Sequence, residues 1–225
     1  MSDEALKVYR DIEEYCDTYN IPLENLLDIL EDQKVVPMIR GKATEFICAL
    51  VLKRKLNPKD WLVEKLNLNA QPGTYDEDVS ITHKRKGVRF KVEAKNAVRG
   101  KFSLGTKASP FPHFAVKCHR SRSNLSRQEN DKYMATDFDL LLCNVSNSLF
   151  RSTFSRGLPL IEKPDAIEWL KNHYSVGTEA EIRRAAYDDW RICLPKDIML
   201  DDGTIPRTPR VKMKDDPNWF GLDDL

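Results

Sequence analysis

Residues 75–97 read YDEDVSITHKRKGVRFKVEAKNA. Two stretches of alternating apolar and polar residues, 78–82 and 88–95, flank a short basic segment of Lys84, Arg85, Lys86 and Gly87. Alternation on both sides of a glycine-containing turn predicts a β-hairpin. Val79 and Ile81 share one face of the first strand, and Phe90, Val92 and Ala94 share one face of the second, so these residues line a core. Lys91, Glu93 and Lys95 occupy the opposite face, and Asp78 points to that same side. The turn leaves two registers open. With Arg85 and Lys86 at its centre, Asp78 lies opposite Glu93; with Lys86 and Gly87 at its centre, Asp78 lies opposite Lys95. A slip of one residue would turn the apolar set out of the core, so both registers bring Asp78 beside Glu93 and Lys95.

Two neighbouring carboxylates repel each other and shift their pKa values unless a cation joins them. Oxygen ligands on a rigid sheet suit Mg²⁺, which keeps several waters and takes one or two protein carboxylates. Asp78 and Glu93, with the main-chain carbonyl of Ala94, are the candidate metal ligands. Lys95 adds a positive charge that can position or help deprotonate an attacking water and stabilise a phosphorane-like transition state. Together these parts can hydrolyse a phosphodiester. The plainer reading is an ion pair between Glu93 and Lys95 on a solvated sheet face, worth under about 1 kcal/mol. Glu45 lies in GKATEFICALVLK at 41–53 and shares a helix face with Ala49 and Leu52. A carboxylate beside so apolar a run is partly buried and needs a partner. It is assigned to the edge of the same site, against the alternative of a surface pair with Lys42 or Lys53.

With these residues in place, the segment resembles the PD-(D/E)XK nuclease superfamily, whose best-known members are type II restriction endonucleases. The likeness rests on Asp78, on Glu93 fifteen positions later, on Ala94 as the variable position and on Lys95. Glu45 resembles the acid that many members carry on the helix before the hairpin. FDLLLCNV at 138–145 resembles the further core strand that follows it. The likeness covers about residues 41–146 of a single domain spanning 1–225. It implies an α/β (α+β mixed) fold with a restriction-endonuclease-like core, a central mixed sheet carrying the active-site hairpin and flanked by helices. It also implies Mg²⁺ as cofactor, double-stranded DNA as substrate, 5′-phosphate ends and a homodimer, and it leaves room for a companion methyltransferase that is not a stable subunit. One departure is that Pro72 does not directly precede an acid. Asp76, Glu77 and Asp78 therefore compete for the first role, and Asp78 is favoured because it abuts the alternating strand. A repair, recombination or phage-associated nuclease shares the same chemistry. A non-catalytic DNA-binding protein on a nuclease-like fold, and a phosphohydrolase of small molecules, are the rivals from other classes.

Working outward, the 225 residues carry a net charge of only +1, but the charge is unevenly spread. Residues 83–132 hold 14 Lys or Arg against 3 Asp or Glu, which leaves the remainder acidic. A neutral protein can thus present a strongly positive face to nucleic acid. Within this region KCHRSRSNLSR at 117–127 mixes the side chains that read base edges, Arg for guanine and Asn for adenine. Lys117, Arg120, Arg122, Asn124 and Arg127 are candidates for base or phosphate contact. Lys84, Arg85, Lys86, Arg99, Lys101 and Lys107 are candidates for backbone contact. Cys118 and His119 lack companions at zinc-finger spacing, and His113 is either a member of the active site or, on the milder reading, a position in a prolyl loop.

Five cysteines lie far apart without a CxxC pair, which disfavours disulfides and zinc and suits a reducing compartment. No apolar run approaches 18 residues and the charged start lacks a signal-like block, so a cytoplasmic location is expected. Helical spacing predicts helices over 3–19 with Asp3 as cap, after Pro22, and from Gly41 to about Lys55, with Pro37 breaking the pattern before it. Further helices are expected over 164–172 and 179–187, and a short strand over 114–118. The nearly unbroken apolar run at 138–145 predicts a central strand buried on both faces. From Pro206 onward the chain reads as irregular or as an arm. The first helix and this tail, with Trp219 and Phe220, are candidate dimer or DNA-wrapping elements, against the alternative that the aromatics cover the protein's own core.

Overall fold

The structure is a computed structural model that describes residues 2–65, 77–107, 109–119, 131–150, 160–161 and 163–222. It divides into two compact units, Met1–Ala43 and Thr44–Leu225. The first unit holds helices α1 (Asp3–Thr18) and α2 (Leu26–Glu31). Ser2, one residue before the expected cap, accepts the Ala5 N–H, and Asp3 and Glu4 then sit in the first turn where the helix dipole favours them. The spaced residues Leu6, Tyr9, Ile12, Tyr15 and Tyr19 are exposed, whereas Cys16 is buried.

Helix α3 (Val35–Lys55) begins well before Gly41, which corrects the expected start. Pro37 does not interrupt it. As the third residue it stands in the first turn, where N–H groups have no partner within the helix, so its missing donor costs nothing. Asp32 supports this start by accepting the Lys34 N–H on its side chain and the Val35 and Val36 N–H groups on its carbonyl.

The second unit is mixed α/β. Its six-stranded sheet comprises β1 (Trp61–Glu64), β2 (Val79–His83), β3 (Arg89–Asn96), β5 (Leu140–Asn144), β6 (Trp190–Cys193) and β8 (Phe220–Gly221), in the order β1-β2-β3-β5-β6-β8. Only β3 and β5 run parallel; the other neighbours are antiparallel. The crossover between β3 and β5 contains β4 (His113–Ala115), which pairs with β7 (Arg210–Lys212) in a separate two-stranded ribbon. His113 is therefore a strand residue rather than a loop position, with Nδ1 2.8 Å from the Phe111 carbonyl oxygen.

Each face of the large sheet is covered. On one side Cys48, Ala49, Val51 and Leu52 of α3 pack against Val79, Ile81, Val92, Ala94 and Leu142. On the other, Leu141, Cys143 and Val145 join Phe114, Val116 and residues of α4 (Pro164–Tyr174) and α5 (Glu179–Asp188). Alternate residues of β5 thus enter different cores, which is why its sequence is apolar almost throughout. Thr178 caps α5 through a reciprocal pair with Glu181. The segment after Pro206 is not an arm. It supplies β7 and β8, and Trp219 is buried while Phe220 is about half exposed. No described helix is long and apolar enough to cross a membrane, and all five cysteines are buried and free.

Leu142 is fully buried at the centre of the sheet. Leu142→Ala should lower the unfolding free energy by about 3 kcal/mol, through lost transfer energy and the cavity left behind. Phe220→Ala, at an exposed edge, should cost less than about 1 kcal/mol. Urea unfolding of the two variants checks the ranking.

Candidate active site

Local chemistry sets the geometry of the β2–β3 hairpin. The His83 N–H donates to the Val88 carbonyl and the Gly87 N–H to the His83 carbonyl, each at 2.8 Å. Gly87 has φ +66°, a left-handed conformation that glycine adopts without the Cβ penalty. Val79 pairs with Val92, Ser80 with Lys91 and Ile81 with Phe90. This is the register with Arg85 and Lys86 at the turn's centre, and one step outward it sets Asp78 opposite Glu93.

Asp78 and Glu93 are both buried, at 8% and 7% exposure. Asp78 Oδ2 accepts the Ala94 N–H at 2.9 Å. Glu93 Oε1 is in contact with Lys95 Nζ and also accepts the Tyr133 hydroxyl at 2.6 Å. Lys95 Nζ stands 5.0 Å from the centroid of the Tyr133 ring. Each carboxylate thus commits one oxygen to the protein. Of the two other acids competing for the first role, Glu77 is taken up by Arg89 at 2.5 Å and Lys91 at 3.6 Å, while Asp76 lies outside the described residues.

Glu45 is buried on α3, and its Oε2 meets Lys65 Nζ at 2.9 Å. Lys65 directly follows β1 and lies 5.7 Å from the Phe46 ring centroid. The ion pair is therefore made with a residue that neither side of the sequence reading named, since Lys42 and Lys53 are close in sequence but Lys65 is brought in by β1.

The electrostatics bind these groups together. Burial, then the charge of Glu93, pushes the Asp78 carboxyl up to about 8, with Glu45 adding to the rise and Lys95 and the Ala94 N–H opposing it. Burial alone would lower the Lys95 ammonium, but Glu93, Tyr133 and Asp78 outweigh it and hold its pKa well above the ordinary lysine value. Burial and Glu93 likewise keep the Tyr133 phenol protonated. The Cys48 thiol is pushed up by burial and then by Asp78, Glu93 and Glu45 together. Asp78, Glu93 and Glu45 therefore all act on the buried Cys48 thiol.

Among the described residues no group of three or more His, Cys, Asp or Glu side chains stands in a metal-holding arrangement. The donor set that Mg²⁺ needs is smaller, one or two carboxylates completed by carbonyl and water oxygens. Asp78 and Glu93 fit it on chemistry. They are buried neighbours whose mutual repulsion raises Asp78, and a divalent cation between them relieves that repulsion.

The basic candidates divide. Lys101, Lys107 and Lys117 are exposed, as are Lys84, Arg85 and Lys86 in the hairpin turn. Lys84 Nζ donates to the Pro58 carbonyl at 2.6 Å and Arg85 is ion-paired with Asp60, so both heads are tethered to the corner before β1. Arg99 is half-buried, and its Nε and Nη2 have no hydrogen-bond partner among the described residues. Arg120, Arg122, Asn124 and Arg127 lie outside the described residues. Lys65 and Tyr133, which the sequence reading missed, carry no local signal: each reaches the site only through pairing of distant segments.

No protein-family model matches the chain, and neither the curated proteins nor the solved structures contain a match to it.

The raised Asp78 pKa sets a sign for stability in the metal-free protein. The folded state holds a proton on Asp78 up to about pH 8, whereas the unfolded chain releases it near the ordinary value of 3.8. Stability from this group is present at low pH and lost as pH rises from about 4 to 8. Asp78→Asn removes the loss. Its melting temperature relative to the parent should rise between pH 5 and pH 8 in EDTA, as read by thermal scans. A difference that does not change with pH would show that Asp78 ionises normally.

Proposed function

We propose that this chain is a Mg²⁺-dependent endonuclease of the PD-(D/E)XK type. On this reading it hydrolyses phosphodiester bonds of double-stranded DNA at specific sequences, leaves 5′-phosphate ends and acts as a homodimer, in the manner of a type II restriction enzyme. The observation that carries the reading is the placing of Asp78 opposite Glu93 across a hairpin, with Lys95 two residues further along the same face. The six-stranded mixed sheet, with this hairpin next to a parallel strand and under α3, is compatible with a restriction-endonuclease-like core.

Asp78, Glu93 and the Ala94 carbonyl would hold the ion. When bound, Mg²⁺ supplies Lewis-acid polarisation of the phosphate and an acidified water. Lys95 is held protonated by its acidic surroundings, so it offers a fixed positive charge to the developing phosphorane and a hydrogen bond that orients the water. Glu45 and Lys65 are ion-paired at the edge of the site. Glu45 then acts through its field on Asp78. The exposed lysines at 101, 107 and 117 extend positive charge away from the site and suit phosphate contact.

Incubation with unmethylated plasmid and Mg²⁺ should give discrete fragments, and EDTA should abolish them. Lys95→Ala should slow cutting by at least about 100-fold, while a gel shift in Ca²⁺ still detects DNA binding. Equal cutting by that variant would refute the role of Lys95. Cutting confined to branched or single-stranded DNA would move the protein to a repair or recombination role. Binding without cutting in any divalent metal would make it a DNA-binding protein.

A further inference from the structure

Tyr133 lies 40 residues beyond Glu93, yet it touches both members of the Glu93–Lys95 pair. Its hydroxyl donates to Glu93 Oε1 at 2.6 Å. Its ring stands 5.0 Å from Lys95 Nζ. The Lys95 ammonium contacts the same Oε1, so both donors converge on one oxygen of the carboxylate. A glutamate side chain has three rotatable bonds, and two donors on one oxygen fix which oxygen turns away from the protein.

A side chain can hold another in place only if its own backbone is fixed. Tyr133 meets that condition. The Ile205 N–H donates to its carbonyl at 2.8 Å. Its neighbours are clamped to the same C-terminal segment: Met134 forms a bridge with Thr204, the Ala135 N–H donates to the Gly203 carbonyl, and buried Asp131 is ion-paired with Arg207. On the other side the ring packs edge-on against Phe138, with centroids 5.3 Å apart. Residues 203–207 thus brace Tyr133 against the two residues that the nuclease reading places nearest the chemistry.

We infer that Tyr133 is a positioning residue that holds Glu93 by Oε1, presents Oε2 to a divalent cation, and fixes Lys95 beside it. The inference rests on the metal-dependent nuclease reading of this site. Partners that orient a metal ligand from behind commonly change metal affinity or activity by about 10- to 100-fold when lost. The hydroxyl and the ring have separable parts here. Tyr133→Phe removes the hydroxyl and its hydrogen bond to Glu93 while keeping the ring, and Tyr133→Leu also removes the ring that faces Lys95.

The test is calorimetric titration of the full-length protein with Ca²⁺, a readout independent of turnover, accompanied by kcat and KM for DNA cleavage in Mg²⁺. Tyr133→Phe should weaken Ca²⁺ binding by about 10-fold and lower kcat by about 10- to 100-fold, with KM for DNA unchanged. Tyr133→Leu should lower kcat further at similar Ca²⁺ affinity. Parental Ca²⁺ affinity and kcat in Tyr133→Phe would overturn the inference, as would a fall in melting temperature alone. Glu93→Gln supplies a second background in which the Tyr133 hydroxyl no longer meets a carboxylate. There, adding Tyr133→Phe should leave the residual Ca²⁺ affinity unchanged, because the two residues act as one unit; a further loss of the full size would place the action of Tyr133 elsewhere and overturn the inference. If the parent protein binds Ca²⁺ but does not cut DNA, the nuclease reading fails while the Tyr133–Glu93 coupling is still decided by the binding data. If the parent binds no divalent cation, both fall together.

Discussion

Burial of two neighbouring carboxyl groups, with the repulsion between them, is the constraint on which the candidate site depends. Pairing of β2 with β3 leaves Asp78 and Glu93 no choice but to lie side by side, both almost closed to solvent. Buried charge without a partner is costly, and the surrounding groups answer that cost one by one. The Ala94 N–H takes one oxygen of Asp78, Lys95 and Tyr133 converge on one oxygen of Glu93, and Lys65 pairs with Glu45. Asp78 is the group left raised, to about 8, after these compensations. A site built for structural stability alone would place an apolar residue there.

The sheet around the cluster explains how it is kept rigid. Glu93 and Lys95 stand on β3, which is hydrogen-bonded on both sides, antiparallel to β2 and parallel to β5. Their strand neighbours Val92 and Ala94 are anchored in the core under α3. The backbone of a central strand cannot drift without breaking two ladders, so the pleat fixes the spacing and common facing of the Glu93 and Lys95 Cα–Cβ bonds, while their side-chain heads depend on their partners. Tyr133 is the exception, since it reaches the site from a non-strand segment and relies on residues 203–207 for its fixity. The C-terminal segment thereby serves both the outer sheet, through β8, and the back of the candidate site.

The charge map has a similar division of labour. The exposed lysines and the hairpin turn lie on the basic part of the chain, and the partly buried lysines at 65 and 95 are matched with acids. Arg99 is intermediate, half-buried with nitrogens that no described residue satisfies, and burial lowers its pKa.

Much of this was legible in the sequence because strands encode their faces locally. A period of two residues fixes which side chains share a face, so Asp78, Glu93 and Lys95 could be put together from residues 78–95 alone, and the apolar run at 138–145 declared a strand with two covered faces. The sequence left two hairpin registers open, and the left-handed Gly87 with its flanking hydrogen bonds selected one of them. Helix α3 was cut short because Pro37 looks like a breaker when its place in the first turn is unknown. The partners Lys65 and Tyr133, and the two- and three-residue strands β8 and β7, were beyond reach for a different reason. Segments that short have no period of their own, and only pairing with residues distant along the chain gives them position. The sequence by itself determined which groups face the same way; tertiary structure decided which distant groups meet them, because contacts of that kind are set by strand order and backbone hydrogen bonding rather than by local spacing.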